Sequence, residues 1–161
     1  MAIPAPFVWS DLEVLPEWVD ENKHMNVAFY LKAFDDAFYG VYRHWGLDFA
    51  EVQARGFTTF AAENHITYQA ELLLDERFSV ETILLDFDRK RIRWFNIMKK
   101  TDGSVAATCE WLLLFMNFHE RRVATMPDEF FNKLGEIKAV HDTLPRPPQA
   151  GRGISIGNKR S

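Results

Sequence analysis

The stretch from Val27 to about His44 constrains the fold more than any other part of this chain, because it is a helix with almost no polar face. Its apolar residues recur at positions 27, 30, 31, 34, 38, 41 and 45, which is the spacing of an α-helix. Phe29, Ala33 and Ala37 widen the apolar surface. The polar stripe that remains consists of Lys32, Asp35, Asp36 and Arg43. Such a helix should be buried on most sides, and Gly46 is predicted to end it.

Strand-like segments lie on both sides of this helix. A first strand is predicted over Asp11 to Val19, and a short helix or loop over 48–56. Further strands are predicted at Phe57–Gln69, Arg77–Phe87, Arg91–Lys99 and Val105–Phe118, with a last helix from Pro127 to about Lys138. A run of strands around one long helix favours an α+β fold over the alternating pattern of a dinucleotide-binding fold. We therefore expect one antiparallel sheet wrapped around one long central helix.

The composition excludes several classes of function. The 161 residues carry a formal net charge of −4, which gives no general attraction to nucleic acid or to an anionic membrane. The single cysteine, Cys109, rules out an internal disulfide and a Cys-rich zinc site, and the five histidines have no metal-binding spacing, so no metal is predicted. No apolar run approaches the roughly 18 residues of a membrane span. The first nine residues do not resemble a signal peptide, so a cytoplasmic location is expected.

The character of the chain changes near Thr143. Residues 143–161 are rich in proline and glycine and contain four basic residues and no acidic one. This composition predicts a domain over 1–142 followed by a basic tail over 143–161 that is disordered. The alternative interpretation is a tail that helps to hold an anionic ligand or partner.

Polar side chains crowd the point at which the long helix begins. Asp20, His24 and Asn26 stand within the seven residues before Val27. A helix N-terminus offers free backbone N–H groups and the positive end of the helix dipole, which can bind an oxyanion or a polarised carbonyl. Asn26 alone could equally be a helix cap. For the whole cluster we favour a functional site.

The spacing Asp20-x3-His24-x-Asn26-x3-Tyr30-Leu31 resembles the start of the hot-dog-fold acyl-CoA thioesterases of the 4-hydroxybenzoyl-CoA thioesterase type. Many of those enzymes read D-x-x-G-H-V-N-N-x-x-Y-L. This chain has Lys23 at the glycine, Met25 at the valine and Val27 at the second asparagine. The similarity continues through residues 75–82 and 89–91. The motif formed by residues 16–20 and 24–26 is most similar to the corresponding motif of the betainyl-CoA thioesterase branch.

The resemblance implies a hot-dog fold and hydrolysis of an acyl-CoA thioester, with coenzyme A as part of the substrate and no separate cofactor. The backbone N–H of Val27 would polarise the thioester carbonyl. Asp20 would attack the carbonyl or activate a water molecule, and both routes stay open. His24 and Asn26 would orient the carbonyl or the water. Glu63 is a further candidate carboxylate, whose alternative role is that of a solvated strand residue.

Apolar and polar residues alternate along the predicted strand that carries Glu63. Its pattern predicts Phe60, Ala62, Ile66 and Tyr68 on one side and Glu63, His65 and Thr67 on the other.

The phosphates of coenzyme A require basic groups on an otherwise acidic protein. Arg89, Lys90 and Arg91, at the predicted turn between two strands, are the best candidates, and an ordinary charged hairpin is the alternative. The active site lies between two subunits in the family, so the resemblance implies a homodimer or a dimer of dimers.

Two other functions compete with hydrolysis. Hot-dog hydratases and dehydratases use the motif D-x-N-P-x-H, and the segment Asp20–His24 is similar but one residue shorter and without proline. The second alternative is a module that binds acyl-CoA without turning it over.

Overall fold

The structure is a computed structural model that describes residues 2–44 and 49–156. Within these residues the elements are, in chain order, β1 (Phe7–Glu13), α1 (Val27–His44), α2 (Phe49–Ala54), β2 (Phe57–Tyr68), β3 (Arg77–Phe87), β4 (Arg91–Lys100), β5 (Val105–Asn117), β6 (Arg122–Val123) and α3 (Asp128–His141). One sheet runs in the order β1-β3-β4-β5-β2, and β6 pairs with β5. All pairings are antiparallel, which confirms the predicted sheet. No helix among the described residues is long and apolar enough to cross a membrane.

The helix α1 packs one face against the sheet. Phe34 and Phe38 are buried, and the Phe38 ring meets Trp94 of β4 and Trp111 of β5 edge to face, with centroids 6.1 and 5.5 Å apart. The opposite face, at positions 28, 32, 35, 39 and 43, is exposed. The sheet of one chain therefore covers α1 on one side, which is less burial than the apolar pattern predicts.

The predicted boundaries of the first strand are wrong. The strand β1 begins at Phe7 and ends at Glu13, and a 3₁₀ turn follows at Pro16–Trp18. Pro16 has no N–H group with which to continue a ladder, so the chain leaves the sheet just after Val14, whose N–H still bonds to the Glu76 carbonyl at 3.0 Å. Gly46, the predicted end of α1, lies outside the described residues.

A β-bulge in β2 changes which side chains share a face. Ala61 pairs with Leu113 and Glu63 with Leu112, so Ala62 is the extra residue. Phe60, opposite Leu114, therefore lies on the same face as Glu63, and the alternation predicted for Phe60 and Ala62 is wrong. After the bulge the prediction is correct. Glu63 faces away from α1, whereas Tyr68 faces α1 and contacts it.

Two residues of the tail make contacts with the rest of the chain. Pro147 is buried, and the Gly151 N–H donates to Glu110 Oε2 on β5 at 2.6 Å. Composition gives no weight to a buried proline or to a bond with a distant carboxylate, so it does not indicate these contacts. The division of the chain at Thr143 and the disorder of the tail stay predictions.

A buried histidine at the end of α3 forms hydrogen bonds to the strand β3 and to the N-terminal segment. The Leu84 N–H of β3 donates to His141 Nδ1 at 2.9 Å, and His141 Nε2 bonds to the Pro4 carbonyl at 2.9 Å. Since Nδ1 accepts and the carbonyl can only accept, the ring is neutral with its proton on Nε2. Burial lowers the pKa of His141 below its usual value, although the bond to Pro4 opposes this shift.

We expect acid to destabilise the fold through His141. The unfolded histidine binds a proton near pH 6.5, about its unperturbed pKa, whereas the folded one binds it only at lower pH. The contribution to the free energy of unfolding is thus complete above about pH 6.5 and is lost as the pH falls through the lowered pKa. Urea unfolding at pH 7.5 and pH 5.5 measures how the free energy of unfolding changes with pH. The variant His141→Gln should be less stable at pH 7.5 and change less on acidification, and an equal change in both proteins would contradict this role.

Candidate active site

A tight turn places the predicted site residues before α1. The Asp20 N–H bonds to the His24 carbonyl at 3.1 Å, and the Lys23 N–H bonds to the Asp20 carbonyl at 2.9 Å. Lys23 has a φ of 64°, in the left-handed region that favours glycine. The turn that the resemblance implies at this position is therefore formed, although a lysine occupies it.

Asn26 links the carboxylate of Asp20 to the helix. Its Nδ2 donates to Asp20 Oδ2 at 3.2 Å, and its Oδ1 accepts from the Ala28 N–H at 3.0 Å. The other carboxylate oxygen of Asp20 accepts from the Asn22 N–H at 2.9 Å. Asn26 is thus a helix cap and, through the same amide, holds the orientation of Asp20. The two interpretations that the sequence leaves open describe one arrangement.

His24 stands beside this pair. Its Nδ1 lies 3.2 Å from the Met25 carbonyl and 4.0 Å from Asp20 Oδ1. A carbonyl can only accept, so Nδ1 carries a proton and bonds to Met25 rather than to Asp20. The Nε2 atom is left to serve a ligand. About a third of the His24 side chain and a fifth of the Asp20 side chain are exposed.

The first N–H of α1 is free. Within residues 2–44 and 49–156 no acceptor bonds to the Val27 N–H, whereas the Ala28 and Phe29 N–H groups both bond to Asn26. Val27 also lines a cleft of about 320 Å³, together with His24, Tyr30, Tyr68 and Glu71. An unsatisfied N–H at the positive end of a helix, facing a cleft, is suited to hold a carbonyl oxygen that becomes negative. Asp20 is not among the residues that line this cleft, and it adjoins the cleft through its contacts with Asn26 and His24.

The structure does not bring Glu63 to this cleft. Glu63 lies on the face of the sheet that points away from α1, about 17 Å along β2 from Tyr68 at the usual rise per residue. It lines a second cleft, of about 330 Å³, with Arg93, Glu110 and Gly151 of the tail. Within one chain it therefore shares no site with Val27.

The basic turn is also remote from the cleft. The strand β4 has ten residues, so about 30 Å separates Arg91 at its start from Lys100 at its end, where Lys100 bonds to the Glu71 carbonyl. Arg89 bonds to Asp128 at 2.6 Å and lies over the Phe131 ring at 4.0 Å. Arg91 bonds to Asp88. Among the described residues, only Lys90 of the three basic residues has no ion-pair partner.

Sequence reasoning missed the far wall of the cleft. Tyr68 was assigned only to a strand face, and Glu71 was not considered. Both come close to Tyr30 because the strand β2 ends there, which depends on the register of the sheet. The one local signal was the position of Tyr30, three residues after Val27 and hence on the same side of α1.

Comparisons with known proteins identify the family of the chain. Residues 14–134 match the model of the thioesterase-like superfamily, and the chain belongs to that family. It is 34% identical over 144 residues to a betainyl-CoA thioesterase of Pseudomonas aeruginosa, which covers 89% of this chain and 91% of that protein. It is 36% identical to an L-carnitine dehydrogenase/betainyl-CoA thioesterase of Agrobacterium fabrum over 85% of this chain, but the matched region spans only 28% of that relative.

A solved structure is similar over almost the whole length. A hypothetical protein of Staphylococcus aureus, solved in complex with CoA, superposes with a TM-score of 0.87 and 31% identity over 98% of this chain and 99% of that one. A DHNA-CoA thioesterase of the same species, at 13% identity and a TM-score of 0.79, shows the shared fold. The predicted hot-dog fold and the resemblance to thioesterases are confirmed.

Proposed function

We propose that this protein is an acyl-CoA thioesterase that hydrolyses an acyl-CoA thioester to a free acid and coenzyme A. The observation that carries the proposal is the free Val27 N–H, which opens into a cleft that His24 also lines, beside the hydrogen-bonded side chains of Asp20 and Asn26. The relatives that are named for thioester hydrolysis support it.

The chemistry follows from these positions. The thioester oxygen accepts from the Val27 N–H, and one such donor is commonly worth roughly 3 kcal/mol in the transition state. The carboxylate of Asp20 attacks the carbonyl carbon or removes a proton from an attacking water molecule. The carbon–sulfur bond then breaks, and the sulfur leaves as the thiolate of coenzyme A. In the first route the acyl group remains on Asp20 as a mixed anhydride, which a water molecule hydrolyses to the free acid and the regenerated carboxylate. In the second route the oxygen of the attacking water becomes part of the free acid directly. Asn26 keeps Asp20 aimed at the start of the helix, and His24 Nε2 is available to the reacting groups.

The distances within one chain favour an assembly of two chains. The strand β2 is at the end of the sheet, and among the described residues it pairs with β5 alone. Antiparallel pairing of two β2 edges about a twofold axis would bring the turn at 89–91 of one chain to the Tyr68 end of the other. A homodimer, alone or as half of a dimer of dimers, therefore places Lys90 and its neighbours where they can hold the phosphates of coenzyme A.

Light scattering tests the assembly. We expect the mass of at least two chains at micromolar concentration, because an open strand edge of this length favours pairing. A monomeric mass in a preparation that hydrolyses acyl-CoA would contradict it.

Two assays on the same purified protein test the function. Thiol release from short, branched, aromatic, long-chain and betainyl-CoA esters should reveal turnover of at least one ester. Hydration of an enoyl-CoA, followed in parallel, should stay at the background rate. Hydration without thiol release would establish a hydratase, and tight binding of acyl-CoA without either reaction would establish a binding module.

A further inference from the structure

The hydroxyl of Tyr30 joins α1 to the residues 69–73, which we call the wall segment. Tyr30 is buried, and its hydroxyl accepts a hydrogen bond from the Leu72 N–H at 3.0 Å. Burial raises the pKa of Tyr30 above its usual value, although the Leu72 N–H opposes this shift, so the hydroxyl carries no charge near pH 7. Leu72 is itself fully buried, so this hydroxyl satisfies a backbone donor that water does not reach.

The wall segment is also bonded to the turn before α1. The Leu72 carbonyl accepts from the Met25 N–H at 2.8 Å, and Leu73 forms an isolated β-bridge with His24. The Met25 carbonyl lies 3.2 Å from His24 Nδ1. The same segment therefore receives Tyr30 on one side and, on the other, holds the residue whose carbonyl orients the His24 ring.

Lys100 holds the wall segment from the sheet. Its ammonium donates to the Glu71 carbonyl at 3.1 Å and forms an ion pair with Glu76 at 2.9 Å. Glu76 in turn accepts from the Leu73 N–H at 2.7 Å. The Lys100 side chain is about one-fifth exposed, so this ion pair is partly shielded from solvent. The wall segment is thus fixed at two points, to the helix α1 and to the strand β4.

We propose that Tyr30 and Lys100 are positioning residues for thioester hydrolysis, because together they fix the wall segment opposite the start of α1. This inference rests on the proposed function and adds two residues to it. The wall segment lines the cleft into which the Val27 N–H opens, through Gln69, Ala70 and Glu71. A thioester in this cleft lies between the oxyanion donor and the wall, so the wall sets how closely its carbonyl approaches the donor. A misplacement of about 1 Å can lower a rate about 100-fold.

Tyr30→Phe tests the first contact, because it removes the hydroxyl and keeps the ring that packs on Tyr68. We expect kcat to fall about tenfold or more and KM to change less than about twofold, since orientation is lost and binding is not. Tyr42→Phe is the matched control. It removes another buried hydroxyl of α1, which bonds to Thr59 at 2.7 Å, and neither of these residues lines the cleft. It should lower the melting temperature and leave kcat unchanged.

Lys100→Met tests the second contact, and its control lies one residue away. It removes the ammonium and should lower kcat about fivefold or more, again with little change in KM. Lys99→Met breaks an ion pair of similar length, with Glu81 at 2.7 Å, and should leave kcat unchanged. Equal kcat in Tyr30→Phe and Tyr42→Phe would overturn the role of Tyr30, and equal kcat in the two lysine variants would overturn that of Lys100.

Amide hydrogen exchange separates this inference from the proposed function, because it needs no turnover. The Met25 N–H bonds to the Leu72 carbonyl and touches neither mutated side chain, so its exchange rate reports whether the wall segment keeps its place. NMR of the full chain should show exchange about tenfold or more faster in Tyr30→Phe and in Lys100→Met, and unchanged in the two control variants. This result would support the positioning role even if no ester were hydrolysed. Unchanged exchange in Tyr30→Phe and Lys100→Met would refute it even if the wild-type protein hydrolysed acyl-CoA.

Discussion

Replacement of Asp20 by Asn should lower kcat for acyl-CoA hydrolysis by about 100-fold or more, the usual scale for the loss of a general base or nucleophile. Asparagine has the same size but neither attacks nor removes a proton. Affinity for the ester should change little, because no attraction to an anionic ligand is lost. Steady-state kinetics and a melting curve on the same purified variant measure both quantities.

The contacts of Asp20 also allow a purely structural role, which makes a different prediction. Its two oxygens accept from the Asn22 N–H and from Asn26, so it could serve only to hold the turn. In that case the variant would lose up to about 1 kcal/mol of stability and keep nearly normal turnover, because asparagine also suits turns. The neighbouring exposed carboxylate provides the control, and Glu21→Gln should leave kcat and melting temperature unchanged. Retained kcat in Asp20→Asn would make Glu63 the remaining candidate.

Replacement of Val27 by Pro should remove the oxyanion donor and leave the helix intact. Proline is favoured at the first position of a helix, where its missing N–H has no partner in the helix. Val27 occupies that position, and its N–H bonds to none of the described residues. We expect kcat to fall by about 100-fold or more, since the loss of one oxyanion donor costs roughly 3 kcal/mol in the transition state. The melting temperature should stay close to that of the wild type.

Val27→Ala is the matched control for this variant. It removes the same side chain and keeps the N–H, so its kcat should stay close to that of the wild type. If Val27→Pro and Val27→Ala were equally active, the N–H would have no part in the reaction. If both were equally impaired, the Val27 side chain would be the functional group.

The central helix and most strands could be predicted from the sequence because their burial follows a regular spacing. The apolar pattern of 27–44 predicted α1, and the strands β2 to β5 lie within one residue of their predicted limits, whereas the two-residue strand β6 was not predicted. The first strand was misplaced because Leu12, Val14 and Trp18 lie at the even spacing of a strand, although Pro16 interrupts the ladder. The bulge at Ala62 has no strong signal in the sequence, and it reversed the assignment of Phe60.

In the candidate site, too, the residues that are close in the chain could be predicted and the residues that meet only through the sheet could not. Asp20, His24, Asn26 and Val27 are close in the chain, so a local motif could predict that they meet. Tyr68 and Glu71 reach the cleft only through the end of β2 and the pairing of that strand with β5, which no local pattern specifies. Glu63 and the turn at 89–91 were predicted as parts of one site, yet one chain holds them on the far face and at the far end of the sheet.

The central claim, that this chain hydrolyses an acyl-CoA thioester, can be tested most directly in a single turnover with the enzyme in excess over the ester that releases thiol fastest in the screen. Mass spectrometry would quantify the ester, free coenzyme A and the free acid over time. We predict that the ester disappears and that coenzyme A and the acid form in equal amounts, at a rate that Asp20→Asn reduces by about 100-fold or more. Persistence of the intact ester with the wild-type enzyme, or its disappearance at the same rate with Asp20→Asn, would contradict the account.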